Sequence, residues 1–206
     1  MNRAELKSLA KEQIKGNIGI LFVISLIIAL ISGVANVAAG IGSLVMIIVL
    51  TPAFTLAVTK IYLRLAKGTK PEIGDLFSEF SSFWSAFKVT FLTGLYTFLW
   101  SLLFYIPGII KYLSYSQAVY ILAENPGITA TEAIDSSKEM MEGHKMELFV
   151  LYLSFIGWYF LVALTCGIAG IYVSPYMQAT LTNFYNSIKP AEVVAEPASE
   201  VPVLEG

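Results

Sequence analysis

Lys111 is the residue whose type and position could most readily do chemistry. It closes the run Tyr105-Ile106-Pro107-Gly108-Ile109-Ile110-Lys111, with no acid close by. At the centre of a lipid-embedded helix a lysine costs about 2.5–3.5 kcal/mol; near a helix end it snorkels to the headgroups for far less. Pro107-Gly108 reads as a turn, and proline suits the first turn of the helix that follows. Lys111 then lies one turn in, facing the positive end of the helix dipole at a cost of about 0.3–1 kcal/mol. Such a placement calls for an anion, held also by the free N–H groups from Gly108 onward. A lipid phosphate or an anionic substrate would serve; the plainer alternative is an anchor that snorkels. A second set, Gln117, Gln178 and Asn183, lies inside apolar segments. These side chains either line a polar path or join helices by hydrogen bonds of about 0.6–2 kcal/mol each, and the second fits better.

Catalytic patterns are missing. No zinc-protease helix, nucleophile elbow or phosphate-cradling glycine loop occurs. His144 is the only histidine and Cys166 the only cysteine, so neither a disulfide within the chain nor a thiol or histidine cluster for metal can form. No catalytic residue, metal or cofactor is therefore expected, and the chain is not expected to be an enzyme. A net charge of -2 leaves no basic block for nucleic acid.

The elements that must position these residues follow from composition. The chain of 206 residues is 56% hydrophobic and 14% charged, with a mean hydropathy of +0.71. Soluble domains are roughly half apolar and about a quarter charged, so this balance belongs to a chain solvated by lipid. Apolar spans are expected at Ile18–Ala39, Leu44–Ala66, Lys88–Tyr105, Gly108–Glu124, Glu147–Thr165 and Gly167–Ile188. The fourth is short and polar; a re-entrant pair is the alternative for the third and fourth. The first could pass for a signal peptide, but it is long enough to span and is expected to be retained. Arg3, Lys7, Lys11 and Lys15, then Lys60, Arg64, Lys67, Lys70 and Lys88, then Lys138, Lys145 and Lys189, all fall on one side of six spans. The positive-inside rule then puts both termini in the cytoplasm of a cell membrane.

An internal repeat sets the expected architecture. Lys11-Glu12-Gln13-Ile14-Lys15-Gly16 followed by Leu21-Phe22-Val23 returns as Lys138-Glu139-Met140-Met141-Glu142-Gly143 followed by Leu148-Phe149-Val150. Pro52 precedes Tyr62 as Pro175 precedes Tyr185, and Tyr115-Ser116-Gln117-Ala118 echoes Tyr176-Met177-Gln178-Ala179. The expected fold is all-α: a polytopic membrane bundle of about six helices, built as three hairpin repeats near 4–67, 72–125 and 130–189, each led by a cytoplasmic amphipathic segment. Thr129 and Glu132 form a capping box for the third such segment, and Gly143 is its natural stop. In the second, Phe77, Phe80, Phe83, Trp84 and Phe87 recur at helical spacing opposite serines, as interfacial anchors would. Residues 190–206 lack cations and apolar bulk and are expected to be a disordered acidic tail after the membrane domain of 1–189. Thr51, Thr55 and Thr59, and Thr90, Gly94, Thr97 and Ser101, form small polar stripes for which close packing is the default.

The run from Tyr105 to Lys111, with Tyr115-Ser116 and Tyr120-Ile121-Leu122-Ala123-Glu124-Asn125-Pro126, resembles a family of bacterial integral membrane proteins, domain of unknown function 975. Gly143-His144-Lys145, the stretch from Glu147 to Trp158, Pro175-Tyr176, and Leu6-Lys7 through Gly16-Asn17 fit the same pattern, which covers nearly everything before Pro190. The resemblance implies a multi-helix membrane protein and carries over no catalytic residue. The leading expectation is a non-enzymatic protein working through lipid or protein contacts in the bacterial envelope, with membrane lipids, other membrane proteins or further copies as partners. The alternative is a small transporter or channel with a polar path between the repeats.

Overall fold

The computed structural model describes residues 2–37, 41–78, 82–103 and 105–190, and every regular element among them is a helix. In chain order these are α1 (Arg3–Ile14), α2 (Ile18–Val37), α3 (Ile41–Ala66), α4 (Asp75–Ser78), α5 (Phe83–Leu103), α6 (Tyr105–Tyr115), α7 (Ala118–Glu124), α8 (Ala130–Met140), α9 (Lys145–Leu153), α10 (Ile156–Leu164) and α11 (Gly170–Ile188). By length and composition one described helical stretch, Lys145–Leu164, can cross a membrane. Arg3–Ile14 and Ile18–Gly33 meet the same criterion only together, bent by 89°.

The two outer amphipathic helices are made alike. Leu6, Ala10 and Ile14 form the buried stripe of α1, and Ala130, Ala133, Ile134 and Ser137 that of α8. The Glu5 carboxylate accepts the Asn2 N–H, and the Glu132 carboxylate accepts the Thr129 N–H while Thr129 Oγ1 accepts from Glu132. After each helix comes a left-handed glycine, Gly16 at φ +86° and Gly143 at φ +83°. A side chain there would cost about 1–2 kcal/mol, which explains why both copies of the repeated motif end in glycine. Each glycine turns the chain out of a surface helix into an apolar one.

Docking runs in a cycle. Helix α1 packs on α11, α4 on α3, and α8 on α7. Each leading segment therefore lies on the closing helix of a different unit. The buried apolar core is concentrated around these contacts, in one cluster that includes Ile14, Ile61, Leu148 and Phe184 and another that includes Leu56, Val89, Leu122 and Ile134. Elsewhere, on α2, α5, α6 and α10, large apolar side chains such as Leu30, Phe98, Leu102, Ile106, Phe160 and Leu164 lie bare.

Several expected boundaries move. The third apolar helix starts at Phe83, so Phe83, Trp84 and Phe87 belong to its first turns; Phe77 stands apart in the four-residue α4, and Phe80 lies outside the described residues. Asp75, the first residue of α4, pairs with Arg64 at the end of α3 and accepts the Glu72 N–H. The fifth segment breaks at Ser154-Phe155. There Lys7 Nζ donates to the Ser154 carbonyl at 3.3 Å and lies 4.4 Å from the Phe155 ring centroid. Partial burial, with Arg3 and Lys11 nearby, holds the Lys7 ammonium below the usual lysine pKa. The sixth begins at Gly170. Most of the expected tail, 191–206, lies outside the described residues.

The fourth segment also differs: it is two helices, α6 and α7, interrupted at Ser116-Gln117. Ser137 of α8, fully buried, fills the gap. Its hydroxyl donates to the Ser114 carbonyl at 2.7 Å and accepts the Gln117 N–H at 3.1 Å. Pro52 in α3 and Pro175 in α11 interrupt the hydrogen-bond ladder at the corresponding level of the other two units. Ser137→Ala removes both bonds and leaves a buried carbonyl and N–H unpaired, at about 1–3 kcal/mol. Thermal unfolding of the purified protein should show a melting temperature several degrees lower; an unchanged value would mean that the interruption holds itself open.

Candidate functional site

Three adjoining cavities lie where the units meet. The first, about 430 Å³, is lined by Thr51, Thr55 and Thr59 of α3, Tyr112 of α6, Ser116, Tyr120 of α7, Gln178 of α11 and Ile28 and Ser32 of α2. It shares Thr55, Tyr112, Ser116 and Val119 with a second of about 550 Å³, whose other wall is Thr90, Thr93, Gly94, Thr97 and Ser101 of α5. It shares Ile28, Val58 and Gln178 with a third of about 290 Å³. The threonine and serine stripes for which packing was expected thus line space. Threonines at i, i+4 and i+8 share one helix face, so a single stripe in α3 suffices for one wall.

The electrostatics of the walls are uniform. No Asp, Glu, Lys, Arg or His is among the described residues that line the three cavities. Several of the threonine and serine hydroxyl protons are already committed to the backbone. Thr55 donates to the Thr51 carbonyl at 2.8 Å, Thr59 to Thr55 at 2.8 Å, Ser116 to Leu113 at 2.7 Å and Ser101 to Thr97 at 2.8 Å. What these oxygens offer is lone pairs. Thr90 Oγ1 is buried and has no hydrogen-bond partner.

A charged cluster closes one end. Tyr120, in the cavity wall, stacks on Tyr185 with ring centroids 5.1 Å apart. The Tyr185 hydroxyl donates to Glu124 Oε2 at 2.8 Å, and Lys189 Nζ donates to the same oxygen at 2.6 Å. Lys67 Nζ lies 3.6 Å from the other carboxylate oxygen. Glu124 ends α7, Lys67 follows α3 and Lys189 caps α11, so one carboxylate joins the ends of three helices. Sequence reasoning passed over Glu124 as a span boundary. The repeat register could have found it, because Glu124 follows Tyr115 by the same interval as Tyr185 follows Tyr176.

The residues singled out by sequence separate. Helix α6 begins at Tyr105, so Lys111 sits near its middle and the dipole argument, which holds for a first turn, fails there. Lys111 Nζ lies 4.7 Å from the Trp100 ring centroid, a cation–π contact across the α5–α6 hairpin. Gly108 is buried, and a Cβ there would come within 2.9 Å of Ser101 Cα. Its place is the close approach of α5 and α6. Asn183 and Gln13 exchange amide hydrogen bonds at 2.9 and 3.0 Å, which ties α11 to α1. Gln117 donates to Ser116 Oγ at 2.9 Å but leaves Oε1 buried without a partner, outside the cavities. Of that polar set Gln178 alone lines the space. Phe83, Trp84, Phe87 and Phe91 form a ladder of rings with neighbouring centroids 5.5–5.9 Å apart, and Trp84 is 68% exposed.

A family model described as protein of unknown function (DUF975) matches residues 1–114 and 104–192. The chain belongs to that family. No curated protein and no solved structure matches it.

The closure has a direct test. The Lys189 side chain is only 13% exposed. Glu124→Gln leaves it without a counter-charge and should cost about 3 kcal/mol of stability. Lys189→Met in the same background should restore most of the loss, which a double-mutant cycle on melting temperatures reads directly. Strict additivity would show that the pair is incidental.

Proposed function

We propose that this member of the DUF975 family is a multi-pass protein of a bacterial cytoplasmic membrane that acts through lipid and protein contacts and not by catalysis. Its three hairpins cross as six spans, with both termini and the amphipathic segments in the cytoplasm. The observation that carries this reading is the separation of surfaces. Leu102, Ile106 and Ile168 are each more than 70% exposed, and Phe98, Phe160 and Leu164 more than 60%. Water would charge about 25 cal/mol for each Å² of such surface, and patches of this extent mark contact with lipid or another protein. Helices α2, α3 and α5 have 20, 26 and 21 residues; at about 1.5 Å per residue each reaches the roughly 30 Å of a hydrocarbon core. The ion pairs Arg64–Asp75, Lys138–Asp135 and Lys189–Glu124 involve the opposite end of the assembly.

Uncharged cavity walls, without an acid–base pair or an activated nucleophile, support a binding role over a catalytic one. The ring ladder at the start of α5 suits a helix entering the membrane through the headgroup layer. A transport role is the second reading, favoured by one observation: the central cavity is walled by helices of all three units.

Topology is the decisive test. A reporter active only in the cytoplasm should work when fused after Lys67, Gly143 or Lys189, and should be silent at Gly42 or Cys166. The purified protein should also retain lipid in native mass spectrometry. The opposite reporter pattern, or a lipid-free protein, would overturn the proposal.

A further inference from the structure

The joined cavities present a chemistry of their own, and it narrows what they can hold. Their walls combine apolar side chains, Phe54, Val58, Phe98 and Val119 among them, with a row of hydroxyl oxygens. The absence of charge excludes an ionic guest on energetic grounds. A phosphate or carboxylate moved out of water needs a counter-charge or several donors, and unpaired it costs several kcal/mol. Five of the threonine and serine donors are spent. Thr55, Thr59, Thr93, Ser101 and Ser116 each direct the hydroxyl proton to a carbonyl of their own helix.

Such a hydroxyl keeps an acceptor lone pair for a guest, so the guest must bring donors. The Thr55 and Ser101 hydroxyls stand exposed at the cavity surface, where an O–H group of a guest can reach them. The Gln178 amide, shared by two of the cavities, adds one donor and one acceptor for a guest that carries several hydroxyls. Volumes of about 430 and 550 Å³ lie in the range of small-molecule pockets, roughly 300–1,000 Å³.

We infer that these cavities bind the uncharged, hydroxyl-bearing headgroup of a lipid, a glycerol or sugar head, with its chains along the apolar walls. The inference rests on the membrane reading above. A free polyol offers the same donors, but it gains nothing from the apolar walls.

The test uses the full chain in nanodiscs of phosphatidylcholine alone, which brings no hydroxyl donor. Four probes are titrated: dioctanoylglycerol, its methyl ether, dioctanoyl phosphatidic acid and free glycerol. Dioctanoylglycerol should bind, and the methyl ether should bind roughly tenfold more weakly, as loss of a hydrogen bond predicts. Phosphatidic acid and glycerol should bind weakly or not at all. The double variant Thr55→Val, Ser101→Ala removes two acceptors that face the cavities. It should melt as the parent does and lose roughly tenfold in affinity for dioctanoylglycerol while its affinity for the ether changes less. Equal binding of the ether, tighter binding of phosphatidic acid, or an unchanged affinity in the variant would overturn the assignment. Equal binding of free glycerol would overturn the lipid source. All of these outcomes leave the topology reporters untouched, so this inference can fail while the membrane reading stands.

Discussion

Three helix ends meet at the carboxylate of Glu124. Helix C-termini carry partial negative charge, so bringing three of them together is unfavourable unless cations intervene. Lys67 and Lys189 supply them, one after α3 and one at the end of α11, and both approach the acid that ends α7. Taken alone, Glu124 is misplaced at the negative end of its own helix. Two lysines and the Tyr185 hydroxyl make the position tenable. Tyr120 and Tyr185 form the stack between this cluster and the cavities.

The leading helices dock through joints of their own. Helix α1 reaches α11 through the Gln13–Asn183 amide pair, α4 reaches α3 through Arg64 and Asp75, and α8 reaches the α6–α7 junction through Ser137. Each joint is polar and different, while the apolar burial around it is generic. That division suits a repeat. Apolar stripes can be copied unchanged between units, whereas a specific polar joint determines which neighbour a segment accepts. The glycines at φ +86° and +83° do the shared work of turning the chain.

Local signals were legible in the sequence. The capping box at Thr129 and the glycine after its helix at Gly143 follow from short-range rules, and the structure has both. What escaped depends on residues far apart in the chain. The interruption at Ser116-Gln117 is filled by Ser137, some twenty residues on, and α4 is tied to α3 by the pairing of Asp75 with Arg64. Lys111 was misplaced because Pro107-Gly108 reads locally as a turn; the close α5–α6 contact at Ser101 draws that glycine into the helix instead. Glu124 was passed over because a charge at a span boundary is ordinary until its two lysines, both more than fifty residues away, are placed beside it.

The threonine stripes show why a polar wall can exist without destabilising its helix. A serine or threonine in a helix can bond the carbonyl one turn back, which satisfies its proton at the cost of a slight bend. Thr55, Thr59, Thr93 and Ser101 all do this. In an apolar setting they therefore carry little of the penalty of an unpaired hydroxyl. The oxygen that remains is still an acceptor and remains available without any rearrangement. Charged side chains would make a stronger wall, but one that demands a counter-ion or water to fill it. Hydroxyls bonded to their own helix give a surface that tolerates being empty and still distinguishes a donor from an acceptor.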